Sequence, residues 1–164
     1  MKPMRANYVL MLLIVLAAPA CSKGGDVGNG TLLIDSGVIL DSGQLDQTSS
    51  SASLLDVSGP YWTPTEEQAF LADRAVLEHL RQMNTARSQQ IADALGDYKR
   101  QYIGYTVGGK RWMLINAVCR SYWERNESWK STVVVTLDGG ICFFKAHFEL
   151  ATSTVQSLEV NGDA

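Results

Sequence analysis

The chain is 164 residues long and carries 14 Lys and Arg against 17 Asp and Glu, a formal net charge of −3 at pH 7. This length fits one domain with an extension. The acidic balance disfavours a general nucleic-acid binder, because such proteins present basic surfaces to phosphate, and we predict no nucleic-acid partner.

Residues 1–20 have the pattern of a secretory signal peptide. A basic start leads into an uninterrupted apolar run, residues 8–16, and then into the small residues Ala18-Pro19-Ala20. The apolar run is shorter than the roughly 20 residues that a transmembrane helix needs. We therefore predict that this leader is removed when the protein is exported.

A cysteine follows the predicted cleavage site directly, and the stretch Ala18-Pro19-Ala20-Cys21 resembles the lipobox of bacterial lipoprotein precursors. In that family the cysteine thiol is acylated with fatty chains such as palmitate and becomes the new N-terminus. The resemblance implies a lipid anchor at Cys21, and Ser22 after it implies an outer-membrane lipoprotein that faces the periplasm. Ordinary cleavage after Ala20 would instead leave a free periplasmic or secreted protein.

Lipidation of Cys21 would leave Cys119 and Cys142 as a pair. An oxidising cell envelope favours a disulfide between them, and we predict one. A sequential meander, however, puts them toward opposite ends of the sheet, whereas bridged Cα atoms lie within about 7 Å. Either the loop 120–131 folds back, or the strand order is not sequential, or the bond does not form. The histidines show no metal-ligand spacing with these sulfurs, so no metal and no cofactor is predicted.

Residues 21–59 are rich in Gly, Ser and Asp and show no helical periodicity, which predicts a flexible tether behind the anchored cysteine. The tether contains a six-residue repeat, LIDSGV (33–38) followed by ILDSGQ (39–44). Two copies cannot bury a continuous core, so we interpret the repeat as two short strands in a mobile tail. Alternatively, the tail adds a strand to the sheet edge of the domain or of a partner.

The folded domain is predicted over residues 60–164, and it begins with a helix. Thr63 is a candidate N-cap, and apolar residues then recur at three- and four-residue spacing, which predicts an amphipathic helix over 64–84. Residues 85–97 continue this helix or form a second, weaker one. The apolar stripe consists of Ala69, Phe70, Leu71, Ala72, Val76, Leu77, Leu80 and Met83.

From Tyr98 the pattern changes to that of strands. In the predicted strand 141–150 the apolar residues alternate with Lys145, His147 and Glu149, which predicts one buried and one solvated face. Gly108-Gly109 and Asp138-Gly139 are typical of tight hairpin turns. The predicted strands are 102–107, 111–118, 132–137 and 141–150, with a fifth at 154–162.

Helices followed by an antiparallel meander predict the α+β class, with one long helix, or two, packed on a four- to five-stranded antiparallel sheet. This order of elements resembles the small cystatin-like and NTF2-like folds. The segments YKRQYIGY (98–105) and GGICFF (139–144) also resemble the C-terminal region of uncharacterised exported bacterial proteins. That resemblance covers residues 98–164 and implies no known activity.

No catalytic motif is found, since no serine lies in a G-x-S-x-G elbow, and we predict that the chain is not an enzyme. The main functional pattern is the loop 120–130, where Tyr122, Trp123 and Trp129 are interleaved with basic residues such as Arg125. Trp, Tyr and Arg dominate protein interfaces, so these four residues are candidate partner-binding residues. Alternatively, the aromatic residues fold under the sheet as a lid.

These patterns favour a lipid-anchored envelope protein whose domain is a non-catalytic protein-binding module, of inhibitor or immunity type, acting on another envelope protein. This hypothesis predicts that Tyr122 and Trp129 are exposed. A second hypothesis is an NTF2-like small-ligand binder or enzyme, which needs a deep pocket between helix and sheet. A structural envelope component is a third. The pocket of the second hypothesis would be lined by Tyr102, Tyr105, Trp112 and Asn116.

Overall fold

The computed structural model describes residues 32–47 and 55–162. The predictions for the leader, residues 1–20, and for Cys21 fall outside the described residues. None of the helices in the described part of the chain is long and apolar enough to cross a bilayer.

The described residues form one seven-stranded sheet and four α-helices. The strands are β1 (Leu32–Ile34), β2 (Gly37–Ile39), β3 (Tyr61–Trp62), β4 (Lys99–Val107), β5 (Lys110–Val118), β6 (Phe143–Glu149) and β7 (Thr154–Val160). The helices are α1 (Ser42–Gln47), α2 (Glu66–Met83), α3 (Ala86–Asp93) and α4 (Arg120–Trp123). Short 3₁₀ turns occupy Leu95–Asp97, Glu127–Lys130 and Gly140–Cys142.

The sheet is mixed. Its strands follow the order β1-β2-β4-β5-β6-β7, and β3 pairs with the part of β4 that lies beyond β2. β2 runs parallel to β4, with Gly37 opposite Arg100 and Ile39 opposite Tyr102, whereas the other strand pairs of the described residues are antiparallel. The α+β class is therefore confirmed, but a wholly antiparallel sheet is not what forms.

The six-residue repeat belongs to the folded domain and not to a mobile tether. Its two copies contribute to β1, β2 and α1, and Val38, Ile39 and Leu40 are buried. The repeat needs no core of its own, because β4 provides a strand edge to pair with. Gly37 permits this pairing, since a Cβ there would lie 1.8 Å from the carbonyl oxygen of Arg100. The alternative in which the tail adds a strand to the sheet of the domain describes these residues correctly.

The helical region contains two separate helices. Thr65, and not Thr63, caps α2: its hydroxyl accepts from the Gln68 N–H (3.2 Å), and the Gln68 side chain accepts from the Thr65 N–H (2.9 Å). Such a reciprocal capping box satisfies two N–H groups that the helix itself leaves unpaired. At the other end Asn84 has a φ of 49°, a left-handed conformation that stops α2 before Thr85 caps α3.

The predicted strand over 132–137 does not form, and the hairpin predicted at Asp138-Gly139 is wrong. These residues belong to the long connection 119–142 between β5 and β6, which contains α4 and two 3₁₀ turns and is otherwise irregular. It is called here the crossover loop. The two strands it connects are direct antiparallel neighbours, with Val118 opposite Phe143. A run of β-branched residues is typical of a strand, but residues 132–137 do not form one. Val133 and Val134 are buried because they lie on top of the sheet.

Two side-chain amides hold the backbone of this loop in place of a neighbouring strand. The Gln101 nitrogen donates to the carbonyl oxygens of Trp129 (2.6 Å) and Thr132 (2.7 Å). The Gln101 oxygen accepts from the Val134 N–H (2.9 Å), and Asn116 donates to the Val134 carbonyl oxygen (2.8 Å). Asn116 also donates to Gln101 (2.9 Å), so the two amides form one connected network. Buried backbone groups need such partners, and here side chains provide them.

The pairing of β5 with β6 brings Cys119 and Cys142 together. The Cys119 N–H donates to the Cys142 carbonyl oxygen (2.9 Å), the Cα atoms are 4.8 Å apart, and the sulfur atoms are 1.91 Å apart, which is bonding distance. The two cysteines are not at opposite ends of the sheet, as a sequential meander would require. No strand lies between β5, which precedes Cys119, and β6, which follows Cys142. The two cysteines mark one end of the sheet, called here the cysteine end.

The sheet is covered on both sides. Helices α2 and α3 cover one side, called here the helical face, and its sheet residues are Ile39, Tyr102, Met113, Ile115, Ala117, Phe144, Ala146 and Phe148. The crossover loop and residues near α1 cover the other side, called here the loop face. The buried residues of the loop face are Val38, Leu40, Leu45, Leu55, Val57, Ile103, Tyr105, Leu114, Val118, Trp129, Val133 and Val134. The predicted solvated face is wrong, since Lys145 and His147 are half-buried there and Glu149 is buried.

Candidate functional site

An open groove of about 530 Å³ lies between helix α2 and the start of β7. It forms because α2 turns a narrow stripe of small and apolar residues, Ala69 to Leu80, toward the sheet. The neighbouring stripe of the helix then faces the groove. The groove residues include Leu71, Arg74, Glu78, His79, Thr154 and Val155.

Strand β7 ends the sheet in the described part of the chain, so one side of its backbone pairs with β6 and the other faces outward. Val155 and Leu158 pack toward the helical face, whereas Thr154, Gln156 and Glu159 are exposed. An unpaired strand edge presents N–H and C=O groups that another strand can pair with. Peptides that bind in this way place alternate side chains in pockets beside the edge.

Two large apolar side chains of α2 are exposed, and one of them, Leu71, lines this groove. Phe70 is 62% exposed and Leu71 is 40% exposed, although both were assigned to the buried stripe. The sequence itself contains the signal that was missed: residues 69–72 are all apolar, and four consecutive helical residues cannot all face the sheet. An exposed leucine in a groove beside a free strand edge makes this place a candidate interaction surface.

The aromatic residues of the loop 120–130 form a lid on the loop face. Trp129 is buried, at 4% exposure, which contradicts the prediction that it is exposed. Tyr122 is half-buried and packs edge-on against Phe143, with the ring centroids 5.1 Å apart. Trp123 is also half-buried and donates from Nε1 to the Asp97 carbonyl oxygen (2.9 Å). These rings cover the sheet because its apolar face extends to this end.

Arg125 is the one member of the four candidate partner-binding residues that is exposed. Its Nε donates to the Ser121 carbonyl oxygen (2.6 Å), one helical turn earlier. A single exposed arginine without an exposed aromatic neighbour does not make a protein-binding surface.

The four residues named for a ligand pocket do not share a pocket. Tyr102 lies on the helical face and is fully buried, whereas Tyr105 and Asn116 are buried on the loop face. Trp112 packs on the loop face beside Tyr105, with ring centroids 6.5 Å apart. Because the sheet separates the two sides, a pocket lined by all four cannot form.

A buried polar network joins α2 to the β1–β2 turn on the helical face. Asp73 accepts from the Tyr102 hydroxyl (2.8 Å) and pairs with the Arg100 guanidinium (3.0 Å). Ser36 lies 2.8 Å from the same hydroxyl. Burial raises the pKa of Asp73, with Arg100 acting in the opposite direction, and burial also raises the pKa of Tyr102. The Tyr102 hydroxyl contacts Asp73, Arg100 and Ser36, so it is not free for chemistry. The network holds the β1–β2 turn in position.

A second polar cluster lies on the loop face. The Tyr105 hydroxyl is 2.6 Å from Nδ1 of His147. Burial lowers the pKa of His147, and the neighbouring Lys145 cation lowers it further. Burial raises the pKa of Tyr105 to about 12. The two rings share this hydrogen bond, while Lys145 pairs with Asp56 (2.5 Å) and fastens the segment before β3.

No group of three His, Cys, Asp or Glu side chains in the described ranges is arranged to hold a metal ion. No family model, no curated protein and no solved structure matches the chain. Its function is therefore inferred from its sequence and from the surfaces of the described residues.

Proposed function

We propose that this chain is a lipid-anchored cell-envelope protein whose domain is a non-catalytic protein-binding module. In this proposal the leader is removed, Cys21 is acylated, and the protein faces the periplasm from the outer membrane. The binding surface is the groove between α2 and the free edge of β7, called here the α2–β7 groove. The partner is another envelope protein, which the module inhibits or protects against.

One observation carries the choice of surface: a free strand edge and an open groove lined by the exposed Leu71 occur side by side. The aromatic loop 120–130, favoured by the sequence, is folded onto the sheet and lacks exposed anchors. Leu71 takes over that role, because an apolar anchor beside a strand edge gives both affinity and register to an added strand.

We also propose that the fold is of the cystatin-like or NTF2-like kind. What supports this is a long helix, α2, packed on the antiparallel run from β4 to β7. The parallel strand β2 is then an addition on the β4 edge. A crystal structure in which α2 lies elsewhere than on this run would contradict the assignment.

The hypothesis of a small-ligand binder or enzyme is not favoured, because the residues named for its pocket lie on opposite faces of the sheet. A purely structural envelope component differs from a binding module in what the α2–β7 groove does. It would tolerate a charge in place of Leu71, whereas a module that docks a partner on that side chain would not.

Site-specific photocrosslinking in intact cells tests the α2–β7 groove. A photoreactive phenylalanine analogue at position 71 or 154, both in the groove lining, is expected to capture one envelope protein in preference to all others. The same analogue at position 137 is the matched control, because Leu137 is 84% exposed but lies in the crossover loop. The variant Leu71→Asp should abolish capture from position 154, and Leu137→Asp should not. Equal capture from position 137 would contradict the proposed surface.

The anchor and the disulfide are tested together by the intact mass of protein recovered from membranes. Acylation predicts a chain beginning at Cys21 and heavier by its fatty chains, and Cys21→Ser should move the protein to the soluble fraction. Alkylation without reductant should then label neither Cys119 nor Cys142. A mass that still includes the leader, or an unmodified Cys21 thiol in membrane-derived protein, would refute the anchor.

A further inference from the structure

The segment between the proposed anchor and the fold is much shorter than the sequence suggested. Because β1 begins at Leu32, only residues 22–31 separate it from Cys21. At about 3.5 Å per residue, this segment cannot exceed roughly 35 Å even when fully extended. A domain held by so short a connection stays close to the bilayer, so one of its surfaces must lie near the membrane. This inference rests on the proposed lipidation of Cys21.

The direction of β1 indicates which end of the sheet that is. Leu32 pairs with Ile39, which lies opposite Tyr102, and from there β1 runs toward the cysteine end. Leu32 therefore lies at the end of β1 that points away from the cysteines, toward the turn from β4 to β5 at Val107. That turn lies five residues beyond Tyr102, about 17 Å along the strand. The available length of roughly 35 Å is enough to pass it.

The side chains at this turn have the composition of a membrane-facing surface. Val107 is 54% exposed at the tip of the turn, and Lys110 beside it has a side chain that is 65% exposed. The exposed Arg111 places its guanidinium 5.0 Å from the ring centroid of the half-buried Trp62. Trp with Lys or Arg is typical of the interface between lipid and water, where the ring meets the headgroups and the cation meets phosphate. These four residues are called here the tip surface.

Both ends of the sheet carry basic side chains. At the cysteine end Arg120 pairs with Asp97 and Lys130 pairs with Glu127, Arg125 donates to the Ser121 carbonyl oxygen, and Lys99 lies 5.6 Å from the ring centroid of Trp123. At the tip surface Lys110 pairs with Glu149 (3.0 Å), but Arg111 makes no ion pair with any described residue. Its positive charge is therefore free to meet an anionic headgroup.

We propose that the tip surface rests on the bilayer that holds the lipid anchor. Val107 contacts the headgroup region, Arg111 and Lys110 meet lipid phosphates, and Trp62 lies at the boundary. The α2–β7 groove and the edge of β7 then lie to the side of the contact, where a protein partner can reach them.

The mature chain, beginning at Cys21 and coupled through that thiol to a maleimide phospholipid, tests the contact on vesicles. The vesicles contain phosphatidylethanolamine with phosphatidylglycerol, or phosphatidylcholine alone. Hydrogen exchange of residues 104–111 is expected to slow several-fold on the anionic vesicles relative to the uncoupled protein, while exchange near residue 137 stays unchanged. Brominated lipids should quench part of the tryptophan emission.

The double variant Val107→Ser and Arg111→Gln should lose this protection and the added quenching. The control, Leu137→Ser with Arg125→Gln, changes an exposed apolar and an exposed cationic side chain elsewhere and should retain both. Exchange that is unchanged at residues 104–111, or slowed at the cysteine end, would overturn the proposal. Equal protection on phosphatidylcholine would overturn the role given to Arg111. Since coupling is chemical, these results do not depend on whether cells acylate Cys21.

Discussion

The two faces of the sheet are both buried, but different kinds of chain cover them. On the helical face α2 and α3 pack side chains that recur with the helical period. On the loop face the cover is an irregular loop together with residues near α1. A helix satisfies its own backbone groups, so it needs only apolar contacts with the sheet. An irregular loop does not, and Gln101 and Asn116 supply what it lacks.

The difference teaches where each face is vulnerable. The helical face depends on shape, since it consists of interlocking apolar side chains. The loop face depends on shape and also on two amides that must remain hydrogen-bonded. Substitutions on the helical face should therefore lower stability cooperatively, whereas substitutions of the amides should also release the loop locally.

Adjacent phenylalanines give the largest test of this comparison. Phe144 is 1% exposed on the helical face, and Phe143 is half-buried on the loop face. Phe144→Ala should lower the free energy of unfolding by about 4 kcal/mol, because it leaves a cavity among fixed side chains. Phe143→Ala should cost about half as much, roughly 2 kcal/mol, because it removes less buried area. Urea unfolding of both variants measures the difference. Equal losses would mean that the two faces are packed alike.

Much of the helical face could be predicted because its signal is periodic. The spacing of Ala69, Ala72, Val76 and Leu80 located α2, and alternation located β6. The periodicity predicted too wide a buried stripe on α2, because it included Phe70 and Leu71, which are exposed. Identifying which of four neighbouring apolar residues faces the sheet requires the sheet itself.

The loop face could not be predicted in the same way. Val133 and Val134 are buried, as their type suggests, yet their partners are the side chains of Gln101 and Asn116, distant in sequence. A run of valines is typical of a strand. Local propensity cannot show that distant side-chain amides will bind this backbone in place of a neighbouring strand. The aromatic residues of 120–130 misled for a related reason, because Trp and Tyr are common both in interfaces and under loops. The candidate site was missed because a strand edge becomes visible only when strand order is known.

Removing the amide of Gln101 should have the next largest effect. Gln101→Ala leaves the carbonyl oxygens of Trp129 and Thr132 and the N–H of Val134 without this partner. Buried groups that lose their partners cost about 1 to 3 kcal/mol each, so a total loss of about 3 kcal/mol is expected after partial relaxation. Hydrogen exchange should quicken over residues 129–134 but not in α2. Gln156→Ala, at an exposed position, is the control and should change neither. A loss below about 1 kcal/mol would show that the amide is not what holds the loop.

The smallest expected effect is a pH dependence of stability that arises from a histidine on the loop face. His147 is half-buried there, and burial with the adjacent Lys145 lowers its pKa from 6.5. As pH falls through 6.5, the unfolded chain gains a proton that the folded chain resists, so stability decreases toward acid. Above that range both states are neutral and the contribution disappears. The urea midpoint of His147→Gln should therefore change less between about pH 7 and pH 5 than that of the unmodified protein.

The other histidine provides the control for this effect. His79 lies on α2 beside the α2–β7 groove, and His79→Gln should keep the acid sensitivity of the unmodified protein. The window stays above the range in which Asp56 and Glu149, whose pKa values are lowered by Lys145 and Lys110, begin to lose their charge. If stability were flat in this window, or if His79→Gln removed the effect, the buried pairing of His147 with Tyr105 would not be the source. The distinction between the two faces would then rest on the amides alone.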